Sequence, residues 1–222
     1  MAARLAALLL LLACMVATSS AATVPVTCGS TLKLSHVKTK FRLHSHEVAY
    51  SRGSQQQSVT AYPTGDDGNS YWVVHGARDT PCLPGVEFAK KSPIRLQHVN
   101  TRKWLHSHRF QSPLTNQQEV SAYGSDDSSD GGDVWIVDWD TTGKVWKQDT
   151  KVKLLHRDTS AYLASNEQAK FGQPIHGQQE VCCIARSDAS TVWQTAEGVF
   201  MPIPGAESGN DGSGDAAGSE EL

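Results

Sequence analysis

Ile94–His108 reads IRLQHVNTRKWLHSH, and nearly the same order of residues occurs earlier, at Leu32–His46, as LKLSHVKTKFRLHSH. A looser third copy follows at Val152–Asn166, VKLLHRDTSAYLASN. Extending outward keeps the three in step. Leu34, Leu96 and Leu154 or Leu155 open the units, followed by His36, His98 and His156, then Thr39, Thr101 and Thr159. Leu43, Leu105 and Leu163 come next, then Gln57-Ser58-Val59, Gln118-Glu119-Val120 and Gln179-Glu180-Val181. Trp72, Trp135 and Trp193 close the units, and the spacings run from 58 to 63 residues. Independent anchors repeated three times at near-constant spacing mark an internal repeat.

Each unit alternates over short runs broken by polar turns. Tyr71–Val74 and Val134–Val137 read as aromatic strands, and no long window has a helical period. Four short strands per unit and three units give about twelve strands. The fold class expected is therefore all-β, a pseudo-threefold β-trefoil of repeats of about 60 residues. A solenoid of three such units would be too short and too strand-rich.

The ends give the compartment. Met1–Ala22 has a positive Arg4, an apolar run Leu5–Val16 and a small-residue close, which is the build of a secretory signal peptide. Residues 23–201 form the expected trefoil. Residues 202–222 are expected to be a disordered acidic tail, with five acidic residues and no basic one. The tail ends Ser219-Glu220-Glu221-Leu222, a degenerate form of an ER-retrieval ending. No other stretch approaches membrane-spanning length. Net charge is −3, or −4 without Arg4, which gives no footprint for nucleic acid. The mature chain holds no Asn-x-Ser/Thr acceptor, because Asn69, Asn100, Asn116, Asn166 and Asn210 all lack the hydroxyl.

With Cys14 in the signal, four cysteines remain. Cys182 and Cys183 are neighbours, and neighbours rarely meet disulfide geometry. A Cys28–Cys82 bridge is the expectation, in a compartment that allows it. No Cys-x-x-Cys supports redox chemistry.

The histidines divide into two sets. His36, His98 and His156 occur in every unit and read as core or turn residues. The Leu-His-Ser-His pairs, His44 with His46 and His106 with His108, occur in two units, and unit three has Ala164 and Asn166 instead. Positions i and i+2 on a strand share a face, so each pair is expected opposite its leucine, at the surface or in loops. Arg42, His44 and His46, with Arg102, His106 and His108, are the candidate partner- or glycan-binding residues. A structural role bonding turn backbone competes with that reading. A metal site is disfavoured, since His-x-His with only Glu47 nearby lacks a third ligand at telling spacing. No cofactor is expected. Asp66-Asp67, Asp126-Asp127 and Asp130 sit in Gly/Ser-rich loops and read as solvated turns. The motifs of hydrolases and phosphate-binding loops do not occur, so no catalytic residue is assigned.

These residues carry a resemblance. The two LHSH segments, GQQEV and the closing tryptophans look like MIR motifs, found in protein O-mannosyltransferases and in inositol trisphosphate and ryanodine receptors. VTCGSTLKL, LHSHEVAYSRGSQQQSVTAY and AEGVFMP resemble the stromal cell-derived factor 2 family along almost the whole body. The resemblance implies a non-enzymatic protein of the endoplasmic reticulum lumen. It would act in folding and quality control with a J-domain co-chaperone and the lumenal Hsp70, on unfolded or glycosylated clients. A mannose-recognising lectin-like module is the alternative. The departures from the family are the Ser-Glu-Glu-Leu ending and the third unit.

Overall fold

A computed structural model describes residues 23–205. The signal segment and most of the acidic tail lie outside the described residues. Twelve strands and three short 3-10 turns form three lobes. Lobe one contains β1 (Thr31–His36), β2 (Arg42–Ala49), β3 (Gln57–Tyr62) and β4 (Trp72–Gly76). Lobe two contains β5 (Pro93–His98), β6 (Trp104–Gln111), β7 (Gln118–Tyr123) and β8 (Trp135–Asp138). Lobe three contains β9 (Lys151–His156), β10 (Tyr162–Lys170), β11 (Gln179–Ile184) and β12 (Trp193–Val199).

The first and last strands of each lobe close a six-stranded antiparallel barrel, β1-β4-β5-β8-β9-β12 and back to β1. The middle strands form the hairpins β2–β3, β6–β7 and β10–β11. Strands β3, β7 and β11 pair with one another to cap the barrel. This is the β-trefoil that the repeat predicted.

The anchors fill the core because each lobe delivers the same shapes to the axis. Leu34, Leu96 and Leu154, the leucines at 43, 105 and 163, Val59, Val120 and Val181, and the three closing tryptophans are all fully buried. Indole N–H groups need partners when buried. Trp72 donates to the Leu43 carbonyl at 2.9 Å, Trp135 to Leu105 at 2.9 Å, and Trp193 to Leu163 at 3.0 Å. The leucine and tryptophan of each repeat are thus one unit of packing.

The Cys28–Cys82 disulfide is present, across 54 residues, and Cys182 and Cys183 are free and buried. Pro202 and Pro204, at the start of the segment that composition assigned to the tail, lie against Gly85. A Cβ on Gly85 would meet the Pro202 carbonyl at 2.3 Å. Among the described residues, no helix is long and apolar enough to cross a membrane.

Candidate functional site

Each LHSH strand lies beside a 3-10 turn of its own lobe, and in lobe two the strand and the turn line a cleft. In lobe one the turn is Gly68–Ser70, in lobe two Gly131–Asp133. His44 and His106 are each only 3% exposed. That corrects the surface placement expected from alternation. The leucine face of β2 meets the core, and the opposite face is covered by the turn, so Leu43, His44 and Ser45 are buried in succession.

The aspartates before the turns hold these histidines. His44 Nδ1 donates to Asp67 Oδ2 at 2.8 Å, and Ser70 donates to the same oxygen at 2.7 Å. His106 Nε2 donates to Asp130 Oδ1 at 2.8 Å, while Asp130 also accepts from the Gly132 N–H at 2.9 Å. Asp67, expected as a solvated turn residue, is instead half-buried against His44, whereas Asp130 is exposed as expected and also accepts from His106. Asp126 is exposed too and bridged to Arg102 at 2.8 Å. Gly132 backs directly onto the ring: a Cβ there would lie 2.4 Å from His106 Nε2. A tyrosine forms the outer wall. Tyr62 stacks on His44 with centroids 4.9 Å apart, and Tyr123 lies 5.0 Å from His106.

The second histidine of each pair sits 5.1 Å from the first and is half-exposed. Ser58 uses its proton on the Val48 carbonyl, so His46 Nε2 donates to the Ser58 oxygen at 3.0 Å. His108 Nε2 donates to Glu119 Oε1 at 2.9 Å. In lobe two the cleft has a volume of about 490 Å³, lined by His106, His108, Tyr123, Asp130, Gly132 and Asp158 among others.

Electrostatics keep the two buried rings, His44 and His106, uncharged at neutral pH. Burial lowers His44 to about 4 against the opposing pull of Asp67, and burial likewise lowers His106. Burial alone would raise Asp67, but the bonds from Ser70 and His44 outweigh it and hold the carboxyl below the usual range. At neutral pH each pair is a neutral imidazole donating to a carboxylate. His106 Nδ1 is buried without a partner.

Arg42 and Arg102 are brought to the margins of these sites, not into them. Arg42 pairs with Glu197 of β12 at 2.7 Å, which ties lobe one to lobe three. Lobe three has no cleft of this composition: Ala164 replaces the first histidine, Asn166 the second, and Ile184 stands where Tyr62 and Tyr123 do. Its Asp188 caps its own turn through Ser190. Sequence reasoning did not assign Tyr62, Tyr123, Asp67 and Asp130 to the site. Their signal was present, as tyrosine closing two of three QxVxxY copies and aspartate preceding each turn.

No group of three or more His, Cys, Asp or Glu is placed to hold a metal among the described residues. Nor is an activated nucleophile apparent in the thiols. Burial pushes Cys182 up to about 12 and Cys183 further, so both stay protonated.

Residues 42–192 match the family described as MIR domain. The chain is 49% identical over 180 residues to the stromal cell-derived factor 2-like protein of Arabidopsis thaliana, covering 81% of this chain and 82% of that one. It is 44% identical over 176 residues to stromal cell-derived factor 2 of Homo sapiens, covering 79% and 82%. The crystal structure of the Arabidopsis protein superposes with a TM-score of 0.80, over 82% of this chain and 99% of that chain. The protein O-mannosyltransferase Pmt1-Pmt2 complex of S. cerevisiae, solved with its sugar donor, matches with a TM-score of 0.74 and 31% identity. That match covers 83% of this chain and 27% of the larger one.

Proposed function

The chain belongs to the stromal cell-derived factor 2 family of MIR-domain proteins, and from that premise we propose that it is a non-enzymatic component of a chaperone complex in the endoplasmic reticulum lumen. It acts in protein folding and quality control by holding a J-domain co-chaperone that works with the lumenal Hsp70. The observation that carries this reading is the tyrosine-walled His–Asp pair that recurs in lobes one and two. The buried rings of the two sites, His44 and His106, are neutral, and each donates to an aspartate beside a 3-10 turn. Such groups recognise a surface and do not transfer protons to a substrate at neutral pH. The lumen is supported by the signal-like segment Met1–Ala22 and by the Cys28–Cys82 bridge, which an oxidising compartment sustains.

A second reading is favoured by one observation. Aromatic walls beside polar donors also suit a sugar ring, and the mannosyltransferase match shares this trefoil. A glycan-binding module would then survey glycosylated clients through the same sites.

One experiment separates the two. An epitope tag is inserted between Thr23 and Val24, ahead of the buried Val26, the lumen is gently crosslinked, and co-purifying proteins are identified by mass spectrometry with and without mannose. Stoichiometric J-domain protein with Hsp70, indifferent to mannose, supports the adaptor. Assorted glycoproteins released by mannose, with no J-domain protein, support the lectin and overturn the adaptor.

A further inference from the structure

The threefold pattern breaks at the cap, and a pocket opens where it breaks. In lobes two and three a buried glutamate reaches the hairpin loop of the preceding lobe. Glu119 accepts from the Ser54 N–H at 3.2 Å and from the Ser54 hydroxyl. Glu180 accepts from Leu114 N–H at 2.7 Å and from Thr115 N–H at 3.2 Å. Lobe one has Ser58 at that position, and its short side chain bonds the Val48 carbonyl instead of reaching the lobe-three loop.

Between that loop and its neighbours lies an apolar pocket of about 400 Å³, lined by Val48, Tyr50, Pro113, Leu114, Phe171 and Ile175. Leu114 is 41% exposed and Val48 is 36% exposed. The pocket continues into a second depression of about 390 Å³ that shares Arg52 and Pro113 and adds Arg109 and Phe110. Phe110 is 52% exposed.

Charge decides what this trough accepts. The arginines that form ion pairs are Arg42, Arg95, Arg102 and Arg157; among the described residues Arg52 and Arg109 form none. No carboxylate lines either depression. The nearby Glu119 and Glu180 are buried and committed to backbone N–H groups, hydroxyls and His108. We propose that the cap trough is a docking site for an extended polypeptide segment of a partner or client, with an apolar anchor side chain in the pocket and flanking carboxylates on Arg52 and Arg109. An elongated trough with its apolar and cationic parts side by side suits a strand-like segment, whose successive side chains diverge. A compact ligand would fill one part only. The trough meets the lobe-two cleft only at Arg109, and the inference does not rest on the role proposed for the His–Asp sites.

The test uses fluorescence anisotropy on the full chain. The probe is a labelled decapeptide carrying Leu-Phe flanked by glutamates. One control replaces the glutamates by glutamine, and another replaces Leu-Phe by serine. Because Arg52 and Arg109 are exposed, Arg52→Gln and Arg109→Gln should fold, which an unchanged melting temperature checks. The expected result is saturable binding of the probe, weakened about tenfold or more in either control and in the double arginine variant. Absence of probe binding, or binding indifferent to the arginines, overturns the proposal. So does preferential binding of a synthetic peptide of residues 206–222, which would assign the trough to this chain's own acidic segment. Arginine-dependent binding of phosphatidylserine vesicles without peptide binding, or an arginine-dependent dimer in sedimentation, overturns it equally.

Discussion

His98 Nε2 lies 2.8 Å from the carbonyl oxygen of Asn69, a residue of the preceding lobe. The same bond joins His156 to Gly132 and His36 to Ser190, each at 3.0 Å. Each ring accepts at Nδ1 from the threonine three residues on, at 2.8 to 2.9 Å, so Nε2 carries the proton. Each ring also lies 5.0 Å from the closing tryptophan of the preceding lobe. The three histidines present in every repeat are therefore latches between lobes.

Replacing His98 by alanine removes both bonds, leaves the Asn69 carbonyl unpaired and opens a void against Trp72. A loss of about 3 kcal/mol is expected, read as a lower denaturant midpoint with unchanged slope. His36→Ala and His156→Ala should cost similar amounts.

Acid should unfold the chain through its histidines before its carboxylates. Burial lowers His36, His44, His98, His106 and His156 below 6.5. Above that value folded and unfolded imidazoles are both neutral and nothing is lost. Below it the unfolded chain binds protons that the fold refuses, so stability falls as pH falls. With 6.5 unfolded and about 4 folded, His44 alone removes on the order of 3 kcal/mol across that window. Asp67 and Asp130, held below 3.8, add their loss only under more acidic conditions. Melting temperature measured from pH 8 to pH 4 should be flat at first and then drop steadily below about 6.5.

Cys182 and Cys183 should resist alkylation in the native state. Both are almost fully buried, and burial holds their thiols protonated. Iodoacetamide at pH 8 should label neither until denaturant is added. Rapid native labelling would show that β11 opens readily.

Gly132→Ala should disable the lobe-two cleft selectively. The new Cβ would lie 2.4 Å from His106 Nε2 and 2.7 Å from the Ser107 carbonyl. The ring must leave Asp130, while lobe one, with Asn69 at the equivalent turn position, is untouched. Nuclear magnetic resonance of the histidine side chains should show His106 shifted and His44 unchanged.

The fold was legible because a trefoil repeats its core. Leu43, Leu105 and Leu163 recur at the spacing of Trp72, Trp135 and Trp193, and the structure bonds them pairwise. His36, His98 and His156 were legible as structural for the same reason. The burial of His44 and His106 was not. Strand alternation reports which residues share a face, but not that a turn some twenty residues later covers that face. Tyr62 and Asp67 recur visibly along the chain, but their neighbourhood with His44 comes from hairpin register and turn placement and not from spacing. The cap trough depends on a single substitution, Ser58 for glutamate, whose consequence lies in another lobe.

The central claim is that lobes one and two recognise a protein partner through their His–Asp sites. The most direct measurement is calorimetric titration of the chain with a purified lumenal J-domain protein, the proposed partner, beside a variant carrying His46→Ala, Tyr62→Ala, His108→Ala and Tyr123→Ala. These side chains are at least partly exposed, so circular dichroism should show the variant folded. Binding by the unaltered chain, insensitive to mannose and weakened at least tenfold in the variant, is the predicted result. Equal affinity for both chains, or displacement of the co-chaperone by free mannose, would contradict it.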